Sequence, residues 1–103
     1  PDNEAPGQPS FAEIAAKAEA AGIKAIFQPV ASGNVSDADA DAFAANLAAA
    51  EKPIFAYCRT GTRCTILWSL ANAGNLPVQD IIKSASDAGY DMSPLLPRIA
   101  ARA

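Results

Sequence analysis

Pro53-Ile54-Phe55-Ala56-Tyr57-Cys58-Arg59-Thr60-Gly61-Thr62-Arg63 is the stretch on which the fold turns. A continuous apolar run ends in a cysteine, a glycine-containing loop follows, and an arginine stands at the entrance to a helical pattern. Pro53 to Tyr57 reads as the most buried strand of the chain, of the kind found in a parallel sheet covered on both faces. In a strand-loop-helix turn, successive backbone N–H groups can point inward and form an anion nest, reinforced by the positive end of the following helix. Gly61 permits the positive φ or close approach that such a nest requires. Arg63 can offer a bidentate fork to an oxyanion. Cys58, at the floor, would be stabilised as a thiolate, so a lowered pKa is expected. A cysteine after a strand is by itself more often a buried, inert thiol. Glycine and two arginines at these spacings favour the reactive reading.

The segments around this stretch extend the pattern. Pro1 to Pro9 is polar and reads as loop. Ser10 opens a helix, with Glu13 completing a capping box; Phe11, Ile14, Ala15 and Ala18 mark its inner face, and Gly22 stops it. Ile23 to Val30 reads as a strand, with Pro29 tolerable only near an edge or exit. Ser36 caps a second helix whose early Asp37, Asp39 and Asp41 suit the positive end of the dipole. After the loop, Ile66, Leu67, Leu70 and Ala71 continue at helical spacing. Pro77 starts another helix through Val78, Ile81, Ile82 and Ala85, which Gly89 ends. A last helix is expected from Ser93 to Arg102, with Pro97 confining or kinking it. Alternating helices and strands imply an α/β domain with a short, mainly parallel sheet and a C-terminal helical cluster. Two strands are too few for such a sheet. Pro1-Asp2-Asn3-Glu4 looks like the sequel of a strand, so residues 1–103 are expected to form one domain lacking an N-terminal strand.

Composition narrows the function. The chain has 103 residues, half of them hydrophobic, which suits one folded domain. A net charge of -3 leaves no basic stripe for nucleic acid. No apolar run approaches a bilayer span, and no charged-then-apolar leader opens the chain, so a cytoplasmic, non-membrane protein is the default expectation. The chain contains no histidine. That excludes Cys-His and Ser-His hydrolases and any histidine-containing zinc site. Two cysteines cannot build a four-thiolate metal site, so neither a metal nor another cofactor is expected. Cys58 and Cys64 flank one loop, which suits redox or nucleophilic chemistry better than a secreted disulfide framework.

Cys58-Arg59-Thr60-Gly61-Thr62-Arg63 resembles the Cys-Arg-x-Gly-x-Arg active loop of single-domain rhodaneses. More broadly, Gly7-Gln8-Pro9-Ser10, the alanine-rich helices and Ala56 to Arg63 resemble the phosphatase-like domain of beta-lactamase hydrolase-like proteins and a related group of sulfurtransferases. The resemblance implies a protein-tyrosine-phosphatase-like three-layer fold. It also implies possible partnership with persulfide dioxygenases or sulfide-oxidising flavoproteins. Two chemistries compete on the loop. Tyrosine phosphatases place five residues between cysteine and arginine; this chain has four, as in rhodaneses. A phosphatase also needs a general acid for the leaving alkoxide. In the phosphatases it resembles, an aspartate comes from the loop after an earlier strand, whereas Pro29 to Asn34 carries no carboxylate. Asp37 and Asp39 are nearby but are explained by helix capping. The residues therefore favour a sulfurtransferase in which Cys58 takes sulfane sulfur from a small anionic donor such as thiosulfate or a persulfide. Arg63 and the amides of Thr60, Gly61 and Thr62 would stabilise the persulfide, and Arg59 would steer the donor. A cysteine-dependent phosphatase is the alternative enzyme, and a non-catalytic anion or persulfide sensor is a third reading. Cys64 stands where these families commonly have Ser or Thr, which makes it a candidate redox partner for Cys58.

Overall fold

The computed structural model describes residues 1–103, with helices α1 (Phe11–Ala20), α2 (Asp37–Ala49), α3 (Thr62–Ala71), α4 (Val78–Asp87) and α5 (Leu96–Arg102). A 3₁₀ turn, Ser93–Leu95, leads into α5, whose first turn holds Pro97; a missing N–H costs nothing there. The chain divides into two compact units, Pro1–Ala31 and Ser32–Ala103.

In the first unit, the Ser10 hydroxyl accepts from the Glu13 N–H at 3.2 Å and caps α1. The Asp2 carboxylate accepts from the Phe11 N–H at 2.8 Å, so a second side chain serves the same helix end. Phe11 packs on Phe27 with ring centroids 4.6 Å apart, tying α1 to the irregular segment that follows it.

In the second unit, the reciprocal capping box belongs to Ser36 and Asp39. Asp39 N–H donates to the Ser36 hydroxyl at 3.1 Å, and Ser36 N–H donates to the Asp39 carboxylate at 2.9 Å. Asp37 and Asp41 serve a different end. Arg98 reaches Asp37 at 3.1 Å and Arg102 reaches Asp41 at 2.9 Å, which ties α5 across to the start of α2. The core is formed by Ala40 of α2, Leu70 of α3, Ile81 of α4 and Ile99 of α5, all fully buried. Val35, Ile66, Trp68 and Val78 pack around it. Helices contributing one residue each to a common centre are held by shape, and alanine at position 40 lets α2 approach closely.

The mainly parallel sheet does not form. Neither Ile23–Val30 nor Pro53–Tyr57 has strand structure, and the one β-type bridge joins Ala73 to Leu76 beside the α3–α4 turn. The 53–57 run is exposed rather than buried, with Phe55 88% accessible and stacked on Tyr57 at 6.2 Å. Phe55 and Tyr57 are therefore not covered by packing as core residues would be. Pairing explains the difference. A parallel strand gains its stability from neighbours on both sides, and two segments, each interrupted or bounded by a proline without an N–H donor, fall below that requirement. The C-terminal helical cluster forms as expected.

Candidate active site

Cys58 follows the irregular 53–57 segment, and α3 begins four residues later at Thr62. Gly61 is the N-cap of α3 and adopts φ 87°, a left-handed conformation that side-chain-bearing residues avoid. This turn folds the loop back over the sulfur. Gly61 N–H donates to Cys58 Sγ at 3.1 Å. Burial alone would raise the Cys58 pKa. Donation from the backbone N–H groups of Cys64, Thr60 and Gly61, and from the Cys64 thiol, outweighs it and holds Cys58 below its ordinary value. The Gly61 N–H, read from the sequence as part of an anion nest, here faces the cysteine's own sulfur.

Cys64 behaves in the opposite sense. Burial, and then the negative charge and hydrogen bond of Cys58, push its thiol up to about 11, against a smaller opposing pull from Arg63. Cys64 therefore stays protonated and can donate its S–H to Cys58. Both cysteines are free thiols. On its other side Cys64 lines an open apolar groove of about 350 Å³ with Phe43, Leu47, Ile54, Ala56 and Trp68. That groove does not include Cys58.

The remaining loop residues divide by position. Arg63 lies in the first turn of α3 and is only 7% exposed, close enough to Cys64 to affect its titration. Arg59 is exposed beside Cys58. The Thr60 and Thr62 hydroxyls bond each other at 3.1 Å on the exposed rim. Inside α3, the Thr65 hydroxyl donates to the Gly61 carbonyl at 2.8 Å and braces the cap. One contact escapes any local reading of the sequence. The Tyr90 hydroxyl, thirty positions along the chain, donates to the Thr60 carbonyl at 2.8 Å. No motif signals it, because the pairing exists only once α4 is docked.

Residues 1–75 match the family described as beta-lactamase hydrolase-like protein, phosphatase-like domain. The chain belongs to this family. It is 38% identical over 94 residues to a beta-lactamase hydrolase-like protein of Agrobacterium fabrum strain C58, covering 89% of this chain and 22% of the relative. It is 30% identical over 94 residues to the protein of the same description in Xylella fastidiosa strain Temecula1, with the same coverage. The domain thus spans about a fifth of the length of these curated relatives. Among solved structures, it resembles a candidate phosphatase of Neisseria meningitidis Z2491. The two share 37% identity at a TM-score of 0.85, over all of this chain and 74% of that one. The family and this neighbour give the domain a phosphatase-like fold. No helix is long and apolar enough to cross a membrane.

Proposed function

We propose that this domain is a cysteine-dependent phosphatase acting on small phosphoesters with stable leaving groups. The observation that carries the reading is the convergence of loop N–H donors on Cys58 Sγ at the entrance of α3. Family membership and the Neisseria neighbour support phosphate over sulfur as the substrate class. In this reading the Cys58 thiolate attacks phosphorus, an S–P bond forms, and the ester P–O bond breaks with its electron pair leaving on oxygen. Water then cleaves the S–P bond, releasing phosphate and restoring the thiolate. The loop amides hold Cys58 as the thiolate, Arg63 meets the charge on the phosphoryl oxygens, and Arg59 draws the anion to the mouth. Asp39 is committed to the α2 cap, and Asp37 and Asp41 to the arginines of α5. Aryl esters, whose phenolates leave with little proton assistance, are therefore the favoured substrates.

The four-residue spacing between Cys58 and Arg63 favours a second reading, sulfur transfer. There the thiolate attacks the sulfane sulfur of thiosulfate, the S–S bond breaks, and sulfite departs with the electron pair. Cyanide then removes the outer sulfur as thiocyanate and restores the thiolate. Parallel assays of the protein and Cys58→Ser with p-nitrophenyl phosphate and with thiosulfate plus cyanide separate the two. Phosphate release that vanishes in Cys58→Ser supports the phosphatase. Thiocyanate formation without phosphate release replaces it with the transferase.

Cys64 is the redox partner of Cys58 in either case. A peroxide oxidises the Cys58 thiolate to a sulfenic acid and leaves as hydroxide; the Cys64 thiol then forms the disulfide as water is lost. Loss of the Cys58 negative charge removes one of the causes that hold the Cys64 thiol protonated. Peroxide treatment followed by peptide mass mapping is expected to yield the Cys58–Cys64 disulfide. Sulfinic acid at Cys58 with Cys64 untouched would contradict it.

A further inference from the structure

The segment leading into Cys58 has no ladder to hold it, so the position of the loop has to be set from elsewhere. The Tyr90 hydroxyl supplies a hold through the Thr60 carbonyl at 2.8 Å. A trans peptide is planar, with its C=O and N–H directed to opposite sides. The Thr60–Gly61 peptide therefore works as one rigid unit. Its oxygen receives Tyr90, and its N–H faces Cys58 Sγ at 3.1 Å. The fit around this unit is close. A Cβ placed on Gly61 would fall on the Tyr90 hydroxyl, so the bare Cα makes the room that the tyrosine occupies.

Tyr90 is itself rigidly mounted. Gly89, at φ 97°, ends α4 in a Schellman motif. Tyr90 N–H donates to the Ala85 carbonyl at 2.8 Å, and Gly89 N–H donates to the Ser86 carbonyl at 2.9 Å. Ala85 is buried, and Ile81 one turn earlier is fully buried in the core. The chain of support runs from the core through α4 and its cap to Tyr90, and from there to the peptide facing the sulfur.

We propose that Tyr90 is a positioning residue of the loop, its hydroxyl holding the Thr60–Gly61 peptide with the N–H directed at Cys58 Sγ. The proposal rests on Cys58 being the nucleophile, but not on which electrophile it attacks. The test is the pH dependence of Cys58 alkylation by iodoacetamide in the protein, Tyr90→Phe and Tyr90→Leu, read by peptide mass mapping. Both variants are expected to alkylate Cys58 about 3- to 10-fold more slowly near pH 6.5, the effect of losing roughly one neutral hydrogen bond. Their rates should converge with the parent at strongly alkaline pH. Cys64, protected in the folded protein, is the internal control. Its continued resistance at neutral pH shows that a variant is folded, and a merely structural loss would expose it. Profiles for Tyr90→Phe that superimpose on the parent overturn the proposal, whatever the turnover of esters. A shifted profile in a protein that hydrolyses no phosphoester keeps the proposal and removes the phosphatase reading.

Discussion

Cys58 and Cys64 are six positions apart and have opposite characters. The difference is one of donors. Cys58 collects N–H groups from the loop, whereas Cys64 faces an apolar groove and the Cys58 charge. Selective chemistry follows. Near neutral pH, alkylation is expected at Cys58 first, and Cys64, whose thiol burial holds up even without the Cys58 charge, should react far more slowly. The sign is fixed by the directions. A lowered thiol pKa extends Cys58 reactivity below the ordinary thiol range, and a raised one delays that of Cys64 beyond it. Equal labelling of both cysteines in folded protein at neutral pH would contradict this. Gly61 is the other decisive residue, because Ala there would be strained at φ 87° and would meet the Tyr90 hydroxyl. Gly61→Ala is expected to lose about 1–3 kcal/mol in urea denaturation and to slow Cys58 alkylation at neutral pH. The left-handed turn at Gly61 and the N–H it directs at Cys58 were legible in the sequence because such a turn is a local structure, complete within a few residues. Tyr90 was not, because its bond to Thr60 depends on where α4 packs.

Helix caps were likewise readable from the chain. Ser10, Ser36 and Gly89 all stand at helix boundaries, since capping is decided within one turn. What Asp37 and Asp41 bind was not readable, because their arginine partners lie sixty-one positions away. The ties of α5 should be unequal. Arg98 makes one exposed ion pair, so Arg98→Ala is expected to cost less than about 0.5 kcal/mol. Arg102 also donates from Nε to the Leu70 carbonyl at 3.0 Å, closing the end of α3. Arg102→Ala is expected to cost about 1–2 kcal/mol. Urea midpoints in the reverse order would contradict this ranking. Within α3, the Ser69 hydroxyl is fully buried with no hydrogen-bond partner. Ser69→Ala removes that unmet group and improves helix propensity, so a stabilisation of up to about 1 kcal/mol is expected. A loss of similar size would show that the hydroxyl has a partner in solution.

For the whole molecule, the sequence reading of an α/β domain is half realised. The helices form, and the apolar runs at 23–30 and 53–57 carry no regular structure and no ladder. Apolar content and β-branching describe what a segment can bury, but a parallel ladder depends on distant segments that no local window contains. Hydrogen exchange should register the difference, with the amides of 54–57 exchanging far faster than those in the centre of α3. Protection of 54–57 equal to that of α3 would indicate a ladder in solution. The phosphatase-like fold nevertheless brings the loop to the start of α3, where Cys58 meets its donors. The proposed chemistry makes Cys58 the nucleophile toward phosphorus. Its most direct test is peptide mass mapping of protein acid-quenched during turnover of p-nitrophenyl phosphate. One phosphoryl group on the peptide containing Cys58 is the expected result. Turnover that leaves Cys58 unmodified and continues undiminished in Cys58→Ser would contradict it.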